Sequence, residues 1–187
     1  MLRNAGLSGP FCFGPFCFGL FCFLAGCSTT YPPQDPVGRM FPSVQGDDLN
    51  EKSVQLPDIA AGAPAVFLMA FRQNSQFDVD RWLIGLDMTE TDVTAYEIPT
   101  IQGLGPQMFQ GFIDSGMRSG IPKELWGGVI TVYGEADALH AFTGNENPGP
   151  ARVLLLDASG KVVYFHDKGF SVPALNGLRD ALQALSG

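Results

Sequence analysis

The chain has 187 residues, 45% of them hydrophobic and 16% charged, with 19 acidic against 11 basic side chains and a formal net charge of −8. This length suits one domain with a sizeable core, and the acidic excess argues against nucleic acid or anionic headgroups as partners, since both select clustered Lys and Arg. The cysteines stand at positions 12, 17, 22 and 27, so no thiol follows Cys27. A disulfide, a Cys-x-x-Cys pair or a zinc-thiolate site is therefore excluded from everything downstream.

The first 27 residues fall into three zones. A positive start (the free N-terminus and Arg3) precedes an apolar stretch from about Phe11 to Leu24, and the small residues Ala25 and Gly26 lead to Cys27. That is the layout of a secretory signal. The stretch is too short to cross ~30 Å of hydrocarbon comfortably. Phe-Cys-Phe recurs every five residues through Cys12, Cys17 and Cys22, a period that scatters thiols around a helix. With no His among them, they read as small apolar filler and not as a metal site. Leu24-Ala25-Gly26-Cys27 resembles the lipobox of bacterial lipoproteins. The resemblance implies that residues 1–26 are a signal peptide, that Cys27 carries diacylglycerol on its sulfur, and that the chain is attached to the membrane through this lipid. Residues 1–26 contain only Arg3 among charged residues, so their loss leaves 10 basic against 19 acidic side chains, a net charge of −9. In the absence of a polybasic patch, attachment rests on acyl chains, at ~0.8 kcal/mol per buried methylene. Ser28 follows where Asp would act as an inner-membrane retention signal in enterobacterial lipoproteins, which implies the periplasmic side of the outer membrane.

Residues 27–37 hold Pro32, Pro33 and Pro36 among polar neighbours and are expected to be a flexible tether. Residues 38–187 are expected to form one domain. Ser53 to Leu56 reads as a short strand. Ala65 to Phe71 is a continuous apolar run, which suits a central strand buried on both faces. Val79, Trp82, Leu83 and Leu86 then fall at i, i+3, i+4 and i+7, predicting a helix, with Ser75 and Asp78 as an approximate capping box. Val93 to Ile98 reads as a strand stopped by Pro99. Pro106 is expected to open a helix that ends at Gly120 and carries Phe109, Phe112, Ile113 and Met117 on one face. Val129 to Tyr133 is a further strand, and Ala136, Leu139 and Phe142 mark a short helix. Asn145 to Pro150 is loop. Val153–Asp157 and Lys161–Phe165 flank Ala158-Ser159-Gly160 as an antiparallel hairpin. Ser171 caps a last helix facing inward through Leu175, Leu178, Leu182 and Leu185.

β-α-β units followed by a hairpin and a closing helix predict a three-layer α/β/α domain with a mixed central sheet. Three stretches resemble the thioredoxin-like superfamily. Gly38 to Gly46 with Val54 to Pro57 is similar to the opening hairpin of peroxiredoxin-like proteins. Ala65 to Phe71 running into Arg72 is similar to the strand that delivers their active-site loop, and Leu155 to Val163 to their final hairpin. Phe71-Arg72, Trp82 and Gly116 to Pro122 resemble, more loosely, the mitochondrial ATP-synthase assembly-factor family, which is thioredoxin-like and not itself redox-active.

In redox members of the superfamily the nucleophilic Cys sits where the first buried strand meets its helix, its thiolate favoured by the helix N-terminus. The junction in this chain reads Arg72-Gln73-Asn74-Ser75-Gln76. No catalytic residue, cofactor or metal is expected there. Ser75 reads as a helix cap, since His140 and His166 offer it no obvious base, and both histidines read as surface or structural. Arg152 lies near the place where peroxiredoxins keep an anion-stabilising Arg, and with no thiolate to serve it reads as a surface ion pair. Asp87, Glu90 and Asp92 read as solvated loop, and Gly103-Leu104-Gly105 lacks the rest of a dinucleotide fingerprint. The expectation is a lipid-anchored periplasmic binding or assembly module with a protein partner in the envelope. Its candidate surface is Arg72, Gln73, Asn74, Ser75 and Gln76, with the loop Gly120, Ile121 and Pro122 beside it. The rival expectation is a thiol peroxidase or thiol-disulfide oxidoreductase that uses an unlipidated Cys27 folded back onto the domain.

Overall fold

A computed structural model describes residues 29–103 and 109–186; Cys27 and Pro106 lie outside them. Strand β3 (Ala65–Ala70) is the centre of the main sheet. It pairs parallel with β4 (Thr94–Pro99) and antiparallel with β6 (Arg152–Leu156), which in turn pairs antiparallel with β7 (Val162–His166). β1 (Val44–Asp48) and β2 (Ser53–Leu56) form an antiparallel hairpin that also holds the two-residue strand β5 (Ile130–Thr131). Bridges from Glu97 to Val129 and from Thr100 to Val132 join this hairpin unit to the β4 edge. The β-branched run from Val129 to Tyr133 thus forms a ladder over two residues only, because its ends turn to the neighbouring β4 edge instead.

The uninterrupted apolar runs of β3 and β6 are what burial on both faces requires. Phe67, Met69, Leu154 and Leu156 point to one side, where they meet Phe41, Val44, Leu56, Ile130 and Val132, together with Leu139 and Phe142 of helix α3 (Ala136–Thr143). Val66, Leu68, Val153 and Leu155 point to the other side, against Val79, Trp82 and Leu86 of helix α1 (Gln76–Met88) and Leu175 and Leu178 of helix α4 (Val172–Ala184). The expected core is therefore two clusters separated by the sheet. Ser171 caps α4 as expected, accepting from the Ala174 N–H, although Leu185 at its end is exposed. In the β6–β7 turn, Gly160 takes φ +85° and lies against the Pro57 ring. A side chain there would meet both penalties.

Three expectations need correction or completion. Helix α2 (Gln110–Gly120) forms, but the Phe109 and Phe112 side chains are 64% and 81% exposed. Its buried residue is Asp114, whose carboxylate accepts from the Tyr133 hydroxyl at 2.8 Å. The 3.6-residue pattern located the helix but not the side that is covered. Ser75 precedes α1 without capping it; its hydroxyl donates to the Pro148 carbonyl at 3.1 Å. Finally, the stretch expected to be a free tether is, from Thr29 onward, laid against the domain. Tyr31 N–H donates to Asn145 Oδ1, Asn145 N–H to Tyr31 O, Gln34 N–H to Thr143 O and Gly38 N–H to Val162 O, and Pro36 is buried.

Candidate functional site

β3 ends at Ala70 and delivers Phe71 and Arg72 to the sheet's edge, where a single 3₁₀ turn, Gln73–Ser75, leads into α1. Arg72, Gln73 and Asn74 are exposed, and Ser75 is buried beneath them. The Gln76 amide donates to Asp80 Oδ1 at 3.0 Å and to Glu97 Oε2 at 2.9 Å, gathering two carboxylates beside the junction. Burial raises the Glu97 carboxyl above its ordinary value, the Gln76 hydrogen bond opposes that, and the Asp80 charge adds to it. The first turn of α1 also contains Asp78, a buried carboxylate that accepts from the Ala151 N–H at 3.0 Å and the Phe170 N–H at 2.7 Å. It pins α1 to the start of β6 and to the loop before α4. The α1 N-terminus therefore already holds negative charge from its own chain, and the positive charge available to a partner at this corner is that of Arg72. Gly120, Ile121 and Pro122 close α2 and lead into the 3₁₀ turn Lys123–Gly128. Trp126 Nε1 donates to Ile121 O, and Arg118, in the last turn of α2, donates to Leu49 O beyond β1.

Behind the junction, on the α3 side of the sheet, three side chains are stacked. The His140 ring lies parallel to Phe71, with centroids 3.9 Å apart and planes 16° from coplanar, and the Arg152 Cζ sits 4.6 Å from the Phe71 centroid. Phe71 is thus in contact with both the imidazole and the guanidinium. Arg152 is 2% exposed, which overturns its reading as a surface ion pair. Its Nη1 and Nη2 donate to the carbonyls of Pro150 and Gly144, and its Nε has no partner. Among the described residues no carboxylate lies within ion-pair distance of it. Burial pulls its pKa below the ordinary value, with Asp167 opposing from farther away. A buried guanidinium held by two carbonyls and one aromatic face is costly on desolvation grounds.

His140 is 3% exposed. Its Nδ1 lies 2.7 Å from Asn145 Nδ2. Because that amide nitrogen also donates to Thr29 O at 2.9 Å while Asn145 Oδ1 accepts from Tyr31 N–H at 2.7 Å, the orientation of the amide is fixed. Nδ1 must then accept, which puts the ring proton of neutral His140 on Nε2. Nε2 completes no hydrogen bond. Burial lowers the His140 pKa below its ordinary value, the Thr100 backbone and Asp137 oppose this, and Arg152 reinforces it. His166 is more ordinary: its Nε2 meets Gly169 O at 2.8 Å. Asp87, Glu90 and Asp92 are exposed, as read from the sequence. Sequence reasoning missed Glu97, Asn145 and the bracing role of Asp78. Only Glu97 carried a visible signal, a lone acid inside an apolar strand run.

No family model matches the chain, and no curated protein matches its sequence. Solved structures do match. A thiol peroxidase from Chromobacterium violaceum is 12% identical with a TM-score of 0.54, over 86% of this chain and 93% of that one. A SCO1/SenC family lipoprotein from Bacillus anthracis is 12% identical with a TM-score of 0.55, over 83% and 100%. The exposed lipoprotein thioredoxin of Streptococcus pneumoniae is 10% identical with a TM-score of 0.51, over 74% and 98%. The domain has the thioredoxin-like α/β fold.

Proposed function

We propose that the protein is a lipid-anchored envelope module that uses a thioredoxin-like scaffold to bind a protein partner, with no thiol chemistry of its own. The observation that carries this reading is the junction. On a fold whose similar structures include a thiol peroxidase and a thioredoxin, this chain places Arg72-Gln73-Asn74-Ser75-Gln76 between β3 and α1 and has no cysteine after Cys27. A polar, exposed corner that carries the Arg72 guanidinium suits an acidic segment of a partner through charge-assisted, salt-sensitive contacts. The lipobox-like Leu24-Ala25-Gly26-Cys27 supports anchoring, and Ser28 after it favours the periplasmic face of the outer membrane. Assembly or maintenance of an envelope complex is the role such a module would serve.

A second reading, thiol chemistry by an unlipidated Cys27, draws support from one observation. Thr29, two positions after Cys27 in the sequence, is bonded to Asn145, which touches His140, which stacks on Phe71 next to the junction.

The test joins two assays on the full chain. A photo-cross-linker at Gln73, used in cells, should capture one major partner, and Arg72→Glu should cut the yield by about tenfold or more, the loss of one charge-assisted contact. Insulin reduction with dithiothreitol, and peroxide consumption with a thiol donor, should stay at background. Turnover that vanishes in Cys27→Ser would replace the binding reading with the second one.

A further inference from the structure

The Asn145 side chain is a three-way connector between the buried His140 ring and the N-terminal strap, Thr29–Val37. Its Oδ1 takes the Tyr31 N–H, its Nδ2 serves both Thr29 O and His140 Nδ1, and its backbone N–H donates to Tyr31 O. Farther along the strap, Pro32 and Pro33 press on Gly144 so closely that a Cβ at that residue would overlap the Pro32 carbonyl, and Gly144 O is the acceptor of Arg152 Nη2. The bond from Asn145 Nδ2 to His140 depends on Nδ1 being an acceptor, and it shares its amide with both strap bonds. An imidazolium has N–H at both nitrogens, so protonation would set Nδ1–H against the Asn145 NH₂ at 2.7 Å. Rotating the amide by half a turn relieves that contact only by presenting Oδ1 to the Thr29 carbonyl and NH₂ to the Tyr31 N–H, which breaks both strap bonds.

We infer that His140 and Asn145 form a proton-operated latch that holds residues 29–37 across the domain at neutral pH and releases them on acidification. The charged groups around His140 are Asp137 on its own helix and Arg152 from β6, which also contacts the Phe71 ring; Phe71 itself and the Thr100 backbone contribute no charge. Asp137 also accepts from Gln102, whose amide reaches Thr29 O, so a second polar tie to the strap survives protonation. The sign follows from the burial of a neutral ring. The open form binds the proton more readily than the closed one, so closure is fully favoured above the ordinary histidine pKa and lost as pH falls below it through the depressed value. Opening has a physical consequence for an anchored domain. Once the Gln102 tie at Thr29 also yields, nine residues become free chain, adding up to about 30 Å of reach.

Hydrogen exchange on the full chain in detergent, read as protection factors from about pH 8 to about pH 4.5, spans the titration of a lowered histidine. The Tyr31, Gln34 and Asn145 amides should lose about tenfold or more in protection at the acid end, while those of β3 and β6 keep theirs. His140→Gln, which presents an acceptor at every pH, should keep the strap protected throughout. Asn145→Leu, at a half-exposed loop position, should leave the strap unprotected throughout with the sheet intact. The inference is overturned if the strap amides keep their protection at acid pH or lose it only together with the sheet. A strap that stays protected in Asn145→Leu, or an unchanged pH profile in a folded His140→Gln, would overturn it equally.

Discussion

On the α1–α4 side of the sheet, the buried carboxylate of Asp78 is consumed by two backbone N–H groups, at 3.0 Å from Ala151 and 2.7 Å from Phe170. On the α3 side, a few residues along the same junction, the buried Arg152 and His140 each keep one nitrogen without a partner. Trp82 Nε1 also lacks one, but it is a neutral group set among the rings of Phe170 and His166. Asp78 is what a brace looks like: removing it would strand two amides. Arg152 is what stability alone would not select, because a buried cation without a counter-charge gains less than an apolar side chain of its size. The contrast teaches that burial by itself does not separate structural from functional polarity, whereas the fate of each donor and acceptor does.

Urea denaturation of single variants measures the difference between the two sides. The largest effect belongs to the apolar side: Trp82, fully buried against the sheet, should cost ~3–5 kcal/mol as Trp82→Ala, and a cost under ~1 kcal/mol would mean that α1 packs by another face. Asp78→Ala should follow at about 3 kcal/mol, from two charge-assisted bonds lost and two buried donors stranded. Arg152→Met should shift stability by no more than about 1 kcal/mol in either direction, since removing a buried charge offsets the two carbonyls it leaves. If Arg152→Met costs as much as Asp78→Ala, the distinction between brace and unpaired cation fails.

Most of the fold was legible in the sequence for simple reasons. β3 and β6 are apolar without interruption, and α1 and α4 show clean 3.6-residue spacing, so burial on both faces or on one stripe is written in the residues themselves. Helix α2 shows the limit of that logic. Phe109, Phe112, Ile113 and Met117 repeat properly, yet amphipathicity says only that a face is apolar, not that the chain covers it. The strap was illegible because backbone carbonyls and the side chains of Gln102 and Asn145, far away in the chain, hold it, and polar, proline-bearing composition looks the same bound or free. Of the site, the exposed Arg72–Asn74 corner was readable from the strand-to-helix transition. Arg152 was misread although a clue was present. It opens β6, a strand buried along its whole length.

On the proposed reading this thioredoxin-like fold works without a thiol, and Cys27 is the residue on which that reading turns. Intact mass spectrometry of the mature protein's N-terminus tests it most directly. The expected result is a chain that begins at Cys27, with diacylglycerol on its sulfur and no free thiol. A mature protein that retains residue 27 as a free cysteine, or that forms a disulfide through it, would contradict that reading and turn attention to the short path from Thr29 through Asn145 to the junction.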